Sequence, residues 1–231
     1  MRSYASIVEN AIEEIPFNQL IIASELYKKI SLGITEQTFY KIIERLSKNG
    51  KLVHLTKGVY YRPKITRFGT VPISENEIAN HYLKNHQGVL VGYRMYNQKG
   101  ITTQVGKRVE ILSAILSEEQ KHICNVSVRR ITAPLNEETI PIIETMEILQ
   151  DYKNIEDINT KVLAAYMMHF SQNYSDPAME IVLANRKYKK STIAFMAAFL
   201  NYHQVKNTLS GYLSPMSDYK IPNVEELYEF A

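Results

Sequence analysis

The spacing of apolar residues divides the chain into helical and alternating segments, and each segment predicts an element. Residues 3–15 carry Ile7, Val8, Ala11, Ile12 and Ile15 at helical spacing, with Ser3 placed to cap the start and Pro16 to stop the run. A short second helix over 22–30, starting near Ala23 or Ser24, turns Leu26, Tyr27 and Ile30 inward. Gly33 marks a turn. Thr35 caps a third helix that runs to about Asn49, with Phe39, Ile42, Ile43 and Leu46 as its buried stripe and Asn49-Gly50 as its end. Lys51-Leu-Val-His-Leu and Val59-Tyr-Tyr-Arg read as strands around a tight Thr56-Lys-Gly turn. Helix, helix, turn, helix, hairpin is the order of a winged helix-turn-helix, and Ser31 to Ile34 has the turn length that motif needs, about three or four residues.

Residues 63–73, broken by Pro63, Gly69 and Pro72, read as a linker. Ser74 and Glu77 form a capping box for a helix to about Asn85 that turns Ile78, Ala79, Tyr82 and Leu83 inward. Gly88-Val-Leu-Val-Gly predicts a buried strand, Arg94 to Gly100 a single helical turn, and the stretches from Arg108 and from His122 two further strands, the first also compatible with a helix. From Pro134 the pattern becomes helical, over 139–150, 157–172, 176–187 and 190–207, with Asp176-Pro177 as a helix start and a short last helix near 223–230. The expected fold class is α+β and mostly helical: a winged helix-turn-helix over 1–66, a small α+β module over 74–133 and a helical bundle over 134–231, the last two able to pack as one domain.

Charge sharpens this picture only when divided along the chain. The 231 residues hold 27 Lys or Arg and 24 Asp or Glu, a net +3 that points to no partner. Residues 1–70 hold 11 of the cations and six of the acids, and the remainder 16 and 18, so the excess sits on the winged-helix segment. The face of the third helix opposite its apolar stripe presents Glu36, Gln37, Tyr40, Lys41, Glu44, Arg45 and Lys48. Such a helix fits a major groove of about 12 Å width. On this reading Gln37, Thr38 and Tyr40 meet base edges, Lys41, Arg45, Lys57 and Arg62 hold phosphates, and Thr35 and Tyr60 complete the surface that faces operator DNA. The same module can instead bind a protein without DNA.

Catalytic signatures are few. The nine glycines form no phosphate-cradling or dinucleotide loop, and no His-Glu-x-x-His occurs. His81 and His86, five residues apart, fall on different helix faces and read as surface histidines. The single cysteine, Cys124, excludes an intrachain disulfide framework and a Cys-rich zinc site, and in a strand it reads as a buried, inert thiol. Glu110 is the one acid placed like a nuclease carboxylate, which leaves a metal-dependent nuclease as the least favoured reading. No catalytic residue, metal or cofactor is expected. Glu9 interrupts the N-terminus before a signal-peptide core, and the longest apolar run, Ile193 to Leu200, is far shorter than the ~20 residues of a membrane span. A cytoplasmic protein is expected.

Two further segments suggest partner binding. Tyr93, Arg94, Tyr96, Asn97, Gln98, Lys99 and Gln104 make a polar, aromatic stretch between apolar strands. Arg186, Lys187, Lys189 and Lys190 enclose Tyr188 in a compact basic run suited to a phosphate backbone or an acidic partner.

Leu46-Ser-Lys-Asn-Gly-Lys-Leu-Val-His-Leu-Thr-Lys-Gly-Val-Tyr-Tyr-Arg-Pro resembles the recognition-helix end and wing of AbiEi-type antitoxins. Gly92-Tyr followed by Tyr96-Asn-Gln-Lys-Gly-Ile-Thr-Thr-Gln-Val resembles the segment that follows in the same family and is the more specific of the two. The matching stretches lie within about 35–115. The resemblance implies an antitoxin of a bacterial abortive-infection pair, whose winged helix represses its own operon and whose remainder opposes a nucleotidyltransferase-like toxin. By position, Thr35 to Lys48 would be the recognition helix and Lys57 to Arg62 the wing.

Overall fold

The computed structural model describes residues 3–30 and 33–229. The protein is α+β, and its contacts divide it into two compact units: Met1–His81 with His122–Val126, and Tyr82–Lys121 with Ser127–Ala231.

The first unit begins with α1 (Tyr4–Glu13). The Ser3 hydroxyl caps it by accepting from the Ser6 N–H at 3.2 Å. A strand the sequence pattern does not announce, β1 (Leu20–Ile22), runs directly into α2 (Ala23–Ile30). Ser31 and Leu32 of the expected turn lie outside the described residues. Then follow α3 (Glu36–Lys48), β2 (Val53–Thr56) and β3 (Val59–Tyr61). β3 is the central strand of an antiparallel sheet in the order β1-β3-β2, with Ile21 and His54 on either side of Tyr60. The turn between β2 and β3 depends on Gly58, whose φ of +72° is a conformation side chains rarely adopt. Val8, Ile12, Leu26, Phe39, Ile43 and Leu46 form the centre of this unit's core.

The expected linker over 63–73 is instead an antiparallel hairpin, β4 (Lys64–Thr66) and β5 (Gly69–Val71), because its Pro and Gly residues fall at the strand boundaries and the turn. Ser74 accepts from the Glu77 N–H at 3.2 Å and starts α4 (Glu75–Leu83). His81 on α4 is half-buried and lies 3.7 Å from Glu25, so it is no surface histidine.

In the second unit β6 (Gly88–Val91) leads through α5 (Gly92–Gln98) to β7 (Val109–Ser113), and Gly88 pairs with Ser113. The single strand expected from His122 is a hairpin, β8 (Gln120–Ile123) and β9 (Val126–Arg130), whose tip over 122–126 is counted with the first unit, and the sheet order is β6-β7-β9-β8. Cys124 is exposed and not buried as its expected strand position implied, because it sits with φ +52° in the two-residue turn that reverses the chain between β8 and β9.

The remaining helices are α6 (Thr139–Asp151), α7 (Thr160–Gln172), α8 (Asp176–Asn185), α9 (Lys190–Tyr202) and α10 (Val224–Glu229). Ser175 rather than Asp176 caps α8, by accepting from the Ala178 N–H. α6 and α9 are buried almost all round, as helices at the centre of a core are. Residues from both expected modules, 74–133 and 134–231, share this one core: Val89, Tyr96 and Ile131 pack in the same cluster as Ile143, Met167 and Phe199. Among the described residues no helix is long and apolar enough to cross a membrane.

Candidate nucleic-acid interface

The outward face of α3 is set by the burial of the opposite one. Phe39, Ile42, Ile43 and Leu46 are all under a tenth exposed, which turns Gln37, Lys41, Glu44 and Lys48 to the outside. Thr35 and Thr38 open the helix together. The Thr35 hydroxyl accepts from the Thr38 N–H at 3.3 Å, and the two hydroxyls lie 2.8 Å apart. Lys48 hydrogen-bonds Glu44 one turn away at 2.7 Å and holds that carboxyl below the ordinary range.

An aromatic row extends from α3 onto the sheet. Tyr40 and Tyr60 are half-buried, and burial raises the pKa of each hydroxyl, with the Glu36 charge adding to it at Tyr40 and Tyr40 and Glu44 adding to it at Tyr60. His54 stands opposite Tyr60 across the ladder, their ring centres 5.1 Å apart. His54 carries no signal of its own in the sequence, although its place opposite Tyr60 follows from the hairpin register. Lys57 is exposed beside Gly58, and neither Lys41 nor Lys57 makes an ion pair among the described residues.

Other cations of this unit are engaged. Arg45 lies 4.0 Å and Lys51 3.4 Å from Glu9 on α1. Arg62 is the clearest departure from the expected phosphate set. Its Nη1 donates to the carbonyls of Glu13 at 2.7 Å and Ile15 at 3.0 Å, and its guanidinium stacks on Phe17 at 4.0 Å. The last carbonyls of a helix lack intrahelical partners and carry its negative end, so a guanidinium within reach is drawn to them.

In the two expected partner surfaces of the second unit several side chains are engaged within the unit itself, although most of the basic run stays exposed. Tyr96 is 1% exposed, and its hydroxyl donates towards the Glu147 carbonyl and Asp151 Oδ2 at 3.3 Å each. Tyr93 donates to the Asn154 carbonyl at 2.7 Å and accepts from the Glu156 N–H at 3.1 Å. Asn97 donates to the Thr102 carbonyl, Lys99 pairs with Glu144 at 2.8 Å, and Gln104 donates to Asp157. These side chains pin the segment to its own unit. Arg94 is half-buried, and Gln98 is exposed. In the basic run, Arg186 binds the carboxylate of Glu147, Lys190 donates to the Tyr212 carbonyl, and Lys187 and Lys189 are exposed. The spacing of a basic run does not disclose an acid on another helix, and Glu147 is such an acid. Glu110 lies 3.9 Å from Arg129. Among the described residues no group of three or more His, Cys, Asp or Glu is placed to hold a metal ion.

No curated protein matches the chain. Among solved structures, the crystal structure of the RV2827C protein from Mycobacterium tuberculosis is similar at 16% identity and a TM-score of 0.43, over 89% of this chain and 78% of that one. The model of a family of unknown function, DUF6088, matches residues 9–157, which is more than half of the chain, and the protein belongs to that family.

Proposed function

We propose that the protein is a DNA-binding transcriptional regulator whose first unit is a winged helix-turn-helix. The observation that carries this reading is the outward face of α3, where Gln37 and Lys41 stand uncovered, together with the glycine-turned β2–β3 hairpin that ends in an exposed, unpaired Lys57. The element order α1-β1-α2-α3-β2-β3 and the strand order β1-β3-β2 also support it. In this reading α3 enters the major groove, Gln37 and Thr38 address base edges, and Lys41 and Lys57 hold phosphates on either side. Arg62 holds the base of the hairpin to α1 instead of touching DNA.

The finer form of the proposal is an antitoxin-like autorepressor that opposes a nucleotidyltransferase-like toxin encoded beside it. The two segments that resemble AbiEi-type antitoxins support this form. The test is titration of the protein against its own upstream DNA at several salt concentrations. Binding whose logarithm falls linearly with the logarithm of salt is expected, and no binding at low salt overturns the reading. For the finer form, coexpression must relieve growth arrest caused by the product of the adjacent gene.

A further inference from the structure

The second unit contains a cleft that DNA recognition leaves unused. It lies where the end of α6 and the turn Tyr152–Asn154 face the start of α9 and residues 220–222, and it encloses about 280 Å³. Lys153, Lys189 and Lys220 line it, and no Asp or Glu does. None of these three ammonium groups has an acidic or carbonyl partner among the described residues. Three like charges around one small volume repel one another, and an anion between them removes that repulsion.

One wall is the first turn of α9, a 13-residue helix whose N-cap, Lys189, provides no side-chain cap. The Lys189 N–H is taken by Gln150 Oε1 at 3.3 Å, whereas the N–H groups of Lys190 and Ser191 meet no acceptor among the described residues. The positive end of the helix therefore opens on the cleft. Thr192 is the decisive residue. It is 3% exposed, it lines the cleft, and its hydroxyl makes no hydrogen bond to any described residue. The hydroxyl oxygen keeps some solvent access although the residue as a whole is buried, and the cleft that Thr192 lines is where that access lies. Tyr152 and Phe195, edge to face at 5.3 Å, form an apolar wall beside this polar corner.

We propose that this cleft binds a phosphomonoester of a small organic molecule. The phosphate sits at the start of α9, on the Ser191 and Thr192 hydroxyls and the free N–H groups, with the three lysines around it. The organic part lies against Tyr152 and Phe195. A tetrahedral dianion matches several converging N–H and O–H donors better than a planar carboxylate does. The volume is near the lower limit of ligand pockets, about 300 Å³, which favours a compact molecule.

Calorimetric titration of the full chain with adenosine 5′-monophosphate, inorganic phosphate and adenosine tests this. The nucleotide is expected to bind, inorganic phosphate at least about tenfold more weakly, and adenosine not measurably. Thr192→Val is expected to weaken nucleotide binding about tenfold, and Thr192→Ser to retain it. Lys153→Ala and Lys220→Ala, both at exposed positions, are expected to weaken it several-fold at an unchanged melting temperature, so the outcome does not depend on the buried Thr192 variant folding. Equal affinity for phosphate and nucleotide overturns the organic part of the site. No nucleotide binding, binding indifferent to the lysine variants, or stoichiometric displacement by duplex DNA overturns the proposal.

Discussion

Arg186 reaches Glu147, 39 residues earlier in the chain, with Nε at 3.0 Å and Nη2 at 2.7 Å from the same carboxylate oxygen. The two side chains are only 17% and 9% exposed. Burial works against the guanidinium charge, but Glu147 and Tyr188 beside it together outweigh this and raise the Arg186 pKa above its usual value. Tyr188 accepts from the same Nε at 3.0 Å, and Arg129 lies 3.7 Å from the other oxygen of Glu147.

Glu147→Gln leaves a buried guanidinium without its counter-charge and is expected to lower stability by roughly 3 kcal/mol. The double variant Glu147→Leu, Arg186→Met removes both charges and is expected to be less damaging than the single one. Urea denaturation of the three proteins checks the order. A loss below about 1 kcal/mol for Glu147→Gln would make the pair no more important than a solvent-screened surface bridge.

Lys41→Ala and Lys57→Ala are expected to weaken DNA binding on every sequence and to flatten the salt dependence by about one unit each. Arg62→Ala is expected to behave differently. It removes two hydrogen bonds to the end of α1 and a ring contact with Phe17, so it costs about 1–2 kcal/mol of stability while leaving the salt slope of the folded protein unchanged. Fluorescence anisotropy paired with thermal melts separates the two effects.

The last helix supplies a pH prediction. His203 lies 2.5 Å from the Tyr228 hydroxyl, and Tyr228 stacks on Tyr202 with ring centres 4.6 Å apart. Burial lowers the His203 pKa below its ordinary 6.5. The unfolded chain then binds the proton more readily than the folded one. The contribution of neutral His203 is complete above about pH 6.5 and declines as pH falls towards its lowered folded value. Melting temperatures recorded from about pH 7.5 to about pH 5 are expected to fall more steeply for the native protein than for His203→Gln. Parallel curves would remove His203 from the account.

Cys124 occupies an exposed turn, so the native protein is expected to react with a thiol-specific reagent as fast as the denatured chain does. Cys124→Ser is expected to leave stability within about 0.5 kcal/mol of the native protein. Slow labelling that accelerates on denaturation would contradict the exposed turn.

Capped, periodic helices were legible in the sequence. Ser3, Thr35 and Ser74 act at the starts expected of them, and the apolar stripe of α3 is buried as its spacing implies. Other features carry no local signal. β1 is three apolar residues joined directly to a helix, too short to display a period. Tyr96 reads as a surface tyrosine because its hydroxyl is polar, but an acceptor on α6, about fifty residues away, lets the whole side chain be buried. Arg186 and Arg62 read as free cations for the same reason, since the groups that hold them lie 39 and 49 residues away. In the candidate interface, Gln37, Lys41 and Lys57 stand where helix phase and hairpin register put them. The cleft at α9 was not legible, because it needs Lys153 and Lys220 brought together from distant segments.

Residues 122–126 belong to the first unit, and Asn125 donates to Glu75 there at 2.9 Å. The unit is thus discontinuous in the chain. Its last piece lies some forty residues after His81, so β6, α5 and β7 are synthesised between the two parts of the unit. A fragment that stops at residue 81 lacks this final piece, and a fragment that would represent the unit must join 122–126 back to it.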